Sequence, residues 1–213
     1  MKLIRPSFKI LNIQTETEAI KLIEKAGRTC YKSESKITPI SAEYFIKKVL
    51  INKHESVLEH SLITVRIICD RGISHELVRH RLASFSQEST RYCNYKGGVT
   101  FIIPPWISLE EGIYNTDYFK TRSINPIAST WFHAMKYAKD SYLTLLGSGQ
   151  SPQQARTVLP NSLKTEIVIS ANFREWRHIF NLRCAKNAHP QMREIMLPLQ
   201  KELQRIMPVV FNN

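Results

Sequence analysis

Residues 79–92, RHRLASFSQESTRY, set Arg79, His80, Arg81 and Arg91 among Ser84, Ser86, Ser89, Thr90 and Tyr92, with Glu88 as the one acid. A solvated face mixes charge signs to limit self-repulsion, so cations and hydroxyls gathered almost without acids point to an anionic ligand. Guanidinium forks take phosphate bidentately, and backbone N–H groups beside Ser84 to Ser89 would add neutral donors to the same oxygens. Within a helix, Arg79 and Arg81 would project about 200° apart. That spacing suits a ligand wrapping a helix end, or two ligands, and not one small anion gripped from one face. The alternative is structural: both arginines paired with acids such as Glu76 and Glu88.

A second group lies in FREWRHIFNLR, residues 173–183. At helical spacing Phe173, Trp176, Ile179 and Phe180 share one face, and Arg174, Arg177, His178 and Asn181 the other. Arg183 falls on the apolar side. A guanidinium directed toward a core must meet an anion or a dense set of acceptors, either an internal carboxylate or a ligand. Nucleophilic chemistry is poorly supported. Cys30, Cys69, Cys93 and Cys184 lie far apart with no CxxC pair, so neither a zinc site nor a disulfide framework is expected, and reduced thiols follow. Cys93, nearest the basic motif, reads as a small buried hydrophobe. Ser89 has no evident base partner and reads as a ligand contact.

The elements that must position these groups follow from periodicity. Thr15 and Glu18 form a capping box for a helix carrying Ala19, Ile20, Ile23 and Ala26, which Gly27 should stop. Ser41 is placed to cap a second helix with Phe45, Ile46, Val49 and Leu50 as its stripe. LITVRIIC, residues 62–69, alternates as a strand ended by Gly72. Ile73, Leu77, Val78 and Leu82 return to helical spacing with Ser74 as cap, which puts RHR near a helix end and the serines in a loop. Asn125 and Pro126 suit the start of a long helix stopped by Gly147, and Ser151 and Pro152 repeat the device. KTEIVIS, residues 164–170, reads as a strand, residues 173–183 as a helix, and a last helix runs from about Pro190 with a kink at Pro198.

Helices and strands interleave irregularly, with no short βαβ spacing and no GxGxxG or Walker A loop, so the fold expected is α+β: one domain over residues 1–213, an antiparallel or mixed sheet flanked by helices. The 213 residues contain no linker, repeat or low-complexity segment. The N-terminus lacks an apolar run long enough for a signal peptide or membrane span, which makes the cytoplasm the default. A net charge of +12 fits either nucleic acid or several phosphorylated ligands. A basic nucleic-acid-binding protein would use RHR for phosphates and Trp106, Trp131 or Trp176 for stacking. It leaves the spacing of S-x-R and the segment HESVLEH unexplained.

RHRLASFSQESTRY closely resembles the signature of flavin-dependent thymidylate synthases, in which RHR, a serine five residues after its first Arg and a later S-x-R recur; Ser84, Ser89 and Arg91 fill those places. The resemblance extends through HESVLEH, RTVLP, NFREWRH and NLR, covering most of the chain from His54 to Arg193. It implies FAD as cofactor, NADPH as reductant, and 5,10-methylenetetrahydrofolate as donor of the methyl group that converts dUMP to dTMP. It also implies a homotetramer with shared sites. By position, Ser56, Glu59, Arg79, His80, Arg81, Gln87, Asn172, Arg174 and His178 correspond to flavin contacts. Glu76, Arg79, Gln87, Glu88, Ser89, Arg91, Arg156 and Arg183 correspond to dUMP contacts, and His54 and Tyr92 to the folate and nicotinamide side. Ser86 stands where Asn is common, and Glu76 where Gln is. The resemblance supports an electrostatic role for Arg183, stabilising negative charge on the N3 and O4 side of uracil while reduced flavin supplies hydride.

Overall fold

The computed structural model describes residues 1–115 and 125–212. These fall into two compact units, one of Met1–Ser7, Ile67–Arg79 and Ser86–Ile167, the other of Phe8–Arg66, His80–Phe85 and Val168–Asn213. Strands and helices are mixed along the chain in the irregular α+β order expected.

The first unit contains a three-stranded sheet of order β5-β1-β6, where β1 is Lys2–Ile4, β5 is Thr100–Ile102 and β6 is Gly112–Ile113. β1 pairs parallel with β5, Leu3 opposite Phe101, and antiparallel with β6, Leu3 opposite Gly112, so the sheet is mixed. Leu3 and Phe101 are fully buried with Val99, Ile103, Phe132 and Tyr142 in one core cluster. Helix α4, Pro126–Gly147, contributes Phe132 and Tyr142. It begins as its sequence signals: Asn125 Oδ1 accepts from Ile127 N at 2.8 Å, and Pro126 takes the first helical position, where a missing N–H costs nothing. A short helix α5, Pro152–Ala155, follows, and its capping box uses Ser151 and Gln154.

A second sheet has the order β2-β3-β7-β4, built from β2 (Ser7–Ile13), β3 (Leu62–Asp70), β4 (Ala83–Gln87) and β7 (Lys164–Asn172). All four strands have residues in both units, β2 only through Ser7. In β3 the alternating Ile63, Val65, Ile67 and Cys69 are all fully buried, as the period-2 pattern requires.

The second unit carries α1 (Glu16–Thr29), α2 (Ser41–Ile51), α6 (Phe173–Arg183), α7 (Pro190–Ile206) and α8 (Pro208–Phe211). Ile23, Ile46, Leu58, Trp176, Met192 and Leu199 are among its buried side chains. The Trp176 indole donates to the Ile63 carbonyl at 3.1 Å, tying α6 to β3 within this unit. Among the described residues no helix is long and apolar enough to cross a membrane.

Several local expectations are corrected. Gly27 does not stop α1; it lies inside the helix where a Cβ would collide with the Phe45 ring, so glycine serves close packing there. Ser41 is the first residue of α2 and not its cap, its hydroxyl accepting from Thr38 N at 2.8 Å. Helix α3 spans Arg71–Leu77 and is capped by Asp70, whose Oδ1 accepts from Ile73 N; Ser74 sits within it, donating to the Arg71 carbonyl. The helix therefore ends before RHR, which forms the turn into β4, and the first serines belong to a strand and not to a loop. The last helix, by contrast, starts at Pro190 as expected and holds Pro198 inside it.

Candidate functional site

In the second unit, α6 organises a cluster around His80. Asn172 caps the helix, its Oδ1 accepting from Glu175 N at 2.8 Å, which fixes Glu175 in the first turn. Glu175 and His80 are each only 5% exposed, and His80 Nδ1 lies 3.4 Å from Glu175 Oε1. From the last turn of α6, Arg183 Nε donates to His80 Nε2 at 2.9 Å. The His178 ring stands edge-on to His80 with centroids 6.0 Å apart. Arg183 is half-buried, so the expectation of a guanidinium aimed into the core is corrected: it ends at the helix terminus, where an imidazole nitrogen receives it.

Burial, reinforced by the positive charge of Arg183 and by His178, lowers the His80 pKa to about 4, and the ring is neutral near pH 7. Burial raises the Glu175 carboxyl above its ordinary value, against opposition from His178 and Arg174. Donor atoms of His80, Glu175 and His178 lie within 4.8 Å of one another, close enough to invite a metal. The bond from Arg183 argues against one. A neutral ring that accepts at Nε2 holds its proton on Nδ1 and has no lone pair there for an ion.

The same unit contains an open cavity of about 1170 Å³, somewhat above the roughly 300–1,000 Å³ of ligand sites. Its wall carries Arg28, Lys36, Lys48, Lys53 and Arg174 with one acid, Glu55, beside the rings of Tyr31, Tyr44 and Phe45. His54, Ser56 and Arg174 are three of the sequence-predicted residues on it. Glu59 meets Arg174 at 2.6 Å in a well exposed pair of little energetic weight. Arg81 is exposed with no ion pair among the described residues.

In the first unit the end of β4 and the following turn form a polar cluster. Gln87 Nε2 donates to Ser74 Oγ at 2.8 Å and to Thr165 Oγ1 at 3.2 Å. Both Glu88 oxygens are engaged: Oε1 accepts from the Tyr95 hydroxyl at 2.6 Å and Oε2 from Lys164 Nζ at 2.9 Å. Lys164 also reaches Glu166 at 2.6 Å. Burial works against the Lys164 ammonium, but its bonds to Glu166 and Glu88 outweigh it and raise its pKa. Burial and the Glu88 carboxylate push the Tyr95 phenol far up. Ser89 shapes the turn, its carbonyl accepting from Cys93 N at 2.8 Å and its hydroxyl from Arg91 N at 3.3 Å. Arg156 is brought to this turn by its bond to Thr90 Oγ1 at 3.0 Å. Arg91, over the Tyr92 ring, and Arg79 are exposed, and Glu76 is half-buried in α3.

Of the residues named from the sequence, Glu76, Arg79, Gln87, Glu88, Ser89, Arg91, Tyr92 and Arg156 thus belong to one unit, and His54, Ser56, Glu59, His80, Arg81, Asn172, Arg174, His178 and Arg183 to the other. The pairing of Glu88 with the arginines of RHR is not what forms; Lys164 takes its place. Sequence reasoning missed Lys164, Tyr95 and Glu175. The first has a signal in the alternation of Lys164 and Glu166 on one strand face, and the last in its spacing of three from the cap Asn172. Cys93 is half-buried and not the buried hydrophobe expected. Burial raises the Cys184 thiol to about 11, and that of Cys69 further. Trp176, one of the stacking platforms a nucleic-acid reading would use, is fully buried.

A family model described as thymidylate synthase complementing protein matches residues 12–209. The chain belongs to that family. A protein of Geobacter sulfurreducens named flavin-dependent thymidylate synthase is 32% identical over 96% of this chain and 86% of its own length. One of Mycobacterium bovis with the same name is 33% identical over 89% and 77%. Among solved structures, the UMP/dUMP methylase PolB from Streptomyces cacaoi superposes with a TM-score of 0.77, covering 100% of this chain and 96% of its own at 25% identity, in a crystal with 5-Br dUMP. A second PolB crystal, with 5-Br UMP, gives the same TM-score at 21% identity. The α+β fold is therefore shared with PolB.

Proposed function

We propose that the protein is a flavin-dependent thymidylate synthase that converts dUMP to dTMP, with FAD as cofactor, NADPH as reductant and 5,10-methylenetetrahydrofolate as carbon donor. The observation that carries this reading is the family match over residues 12–209, which spans every residue assigned by resemblance. Flavin dependence is suggested by the names of the relatives, and a uracil nucleotide substrate by the PolB crystals. We read residues 1–213 as one domain, since β3, β4 and β7 pass between its units without a linker, and as a cytoplasmic homotetramer with shared sites.

The residues present suit a flavin dinucleotide. Its pyrophosphate is anionic and its two ends are aromatic, and the cavity of the second unit offers five cations beside tyrosine and phenylalanine rings. Ser56 and Arg174 would contact it there, with Arg81, exposed and without an ion pair among the described residues, offering a fork for phosphate. Bound flavin supplies the hydride chemistry that no side chain can. The protein's own task is to activate the uracil ring. C5 is a poor nucleophile until electron density enters the ring, and no raised thiol of Cys69 or Cys184 can supply it as thiolate near pH 7. Arg183 carries that role, its planar cation stabilising negative charge on the N3 and O4 side. Arg156, Arg91 and the turn shaped by Ser89 bind the nucleotide phosphate in this reading.

The test is direct. The purified protein should be yellow and release FAD on denaturation, and with dUMP, methylenetetrahydrofolate and NADPH it should form dTMP. Arg183→Lys keeps charge but loses the planar fork, so turnover at saturating dUMP should drop while FAD content stays at the parental level. A colourless protein unable to take up FAD removes the reading, and parental turnover in Arg183→Lys moves ring activation to another residue.

A further inference from the structure

We propose that Glu175 and His80 are positioning residues for Arg183: Glu175 keeps the imidazole proton of His80 on Nδ1, leaving the Nε2 lone pair to hold the Arg183 guanidinium through its Nε. Three observations meet in this arrangement. First, Arg183 Nε–H can only donate, so the 2.9 Å contact requires a bare nitrogen at His80 Nε2. Second, the neutral ring's remaining proton must then sit on Nδ1, and that atom faces the Glu175 carboxylate at 3.4 Å. Third, both Glu175 and His80 are 5% exposed, so water does not compete for either nitrogen.

The opposite tautomer fails at both ends. It would set Nε2–H against Arg183 Nε–H, two donors at 2.9 Å, and turn a bare Nδ1 lone pair toward a carboxylate. The 3.4 Å separation exceeds the roughly 2.7–3.2 Å of a close N–H···O bond, so Glu175 acts by its charge on the proton in a buried, weakly screening environment. A doubly protonated ring would also lose the lone pair. The groups facing His80, namely Glu175, His178 and Arg183, all lie on α6, and burial with the last two keeps the ring neutral down to about pH 4.

Geometry explains why such a device is useful. Glu175 and Arg183 are eight residues apart on α6, about 12 Å along its axis. Glu175 is anchored by the cap at Asn172, whereas Arg183 is a long side chain in the last turn with many rotamers of its own. His80 spans the gap and links the fixed position of the first turn to the Arg183 guanidinium. Holding Nε leaves the two terminal amino groups of Arg183 in a defined plane. The consequence for turnover rests on the role given to Arg183 above; the tautomer does not.

The experiment uses flavin-loaded protein with 15N-labelled imidazoles, with the His80 signal assigned by its loss in His80→Asn. The parent protein at pH 7.5 should show His80 with its proton on Nδ1. Glu175→Met should redistribute the proton to Nε2 and lower turnover at saturating dUMP by up to about a hundred-fold, the loss that misplacement by about 1 Å can cause, with KM for dUMP and FAD content little changed. Glu175→Gln keeps the side-chain shape but not the charge, so it should shift the proton and lower turnover in the same direction. A merely structural role for Glu175 predicts parental turnover per folded molecule in both variants, which overturns the proposal. An Nε2–H tautomer in the parent overturns it without any variant, including the case in which Glu175→Met does not fold. A parent that forms no dTMP defeats the functional reading instead and leaves the tautomer result standing.

Discussion

Replacing Lys164 by Met should destabilise the protein more than any other change in the polar cluster after β4. The ammonium binds Glu88 at 2.9 Å and Glu166 at 2.6 Å, with Lys164 19% and Glu88 16% exposed. A hydrogen bond to a charged group contributes about 1.5–3 kcal/mol, and the Lys164–Glu88 bond belongs in that range because both side chains are largely covered. Glu166 is 37% exposed, so its pair contributes no more than about 1 kcal/mol. The variant also leaves the Glu88 carboxylate without its Lys164 cation, with the Tyr95 hydroxyl still donating to it. The expected loss is about 2–4 kcal/mol, which for a chain of this size lowers Tm by roughly 4–15 °C. The Lys164 pKa is raised above its ordinary 10.5, so this stabilisation is fully present below about pH 10.5 and lost only as pH climbs through the raised value. Urea denaturation at pH 7.5 of Lys164→Met, Glu88→Gln and the double variant gives the coupling between the two residues. A coupling below about 0.5 kcal/mol, or a loss in Lys164→Met no larger than in Glu166→Gln, refutes the reasoning.

Trp176→Phe should cost about 2–4 kcal/mol in urea denaturation, since it opens a cavity in a fully buried site and strands the Ile63 carbonyl, and a loss below about 1 kcal/mol contradicts that packing. Stability should fall as pH drops from about 6.5 to about 4, because unfolded His80 takes up a proton at its ordinary pKa and the folded ring does not until about 4. His80→Asn should flatten that slope by up to about 3 kcal/mol across the interval, and an unchanged slope assigns the acid sensitivity elsewhere. Arg81→Ala should leave urea stability within about 0.5 kcal/mol, as the side chain is exposed, yet weaken FAD retention. Equal FAD affinity at equal stability removes Arg81 from the cofactor site.

Local chemistry wrote itself clearly into the sequence wherever neighbours along the chain decide the outcome. The box at Thr15 and Glu18, the Asn125–Pro126 start and the alternation in 62–69 needed no tertiary information, and each element formed. The misreadings occur where a distant residue decides. Gly27 has the composition of a helix stop, but Phe45 packs against it and the helix continues. Ser74 has the composition of a cap, but Asp70 is a stronger acceptor four residues earlier and takes the role.

The RHR turn shows the same limit at the candidate site. Three consecutive cationic or titratable residues look equivalent in a sequence, and a helical projection separates Arg79 from Arg81 by angle alone. In the folded chain the distinction is burial: His80 is covered while Arg79 and Arg81 are exposed. That inversion changes the chemistry of the middle residue, because a covered imidazole beside a guanidinium must stay neutral to act as an acceptor. Arg183 was legible as a cation out of place on its helix face, and the sequence left open whether a carboxylate or a ligand receives it. The imidazole that does so comes from a segment about a hundred residues away, a pairing no periodicity could reveal. What makes RHR distinctive in this fold is then a division of labour. Two exposed forks remain available to anions, and between them one neutral ring holds a third guanidinium in place.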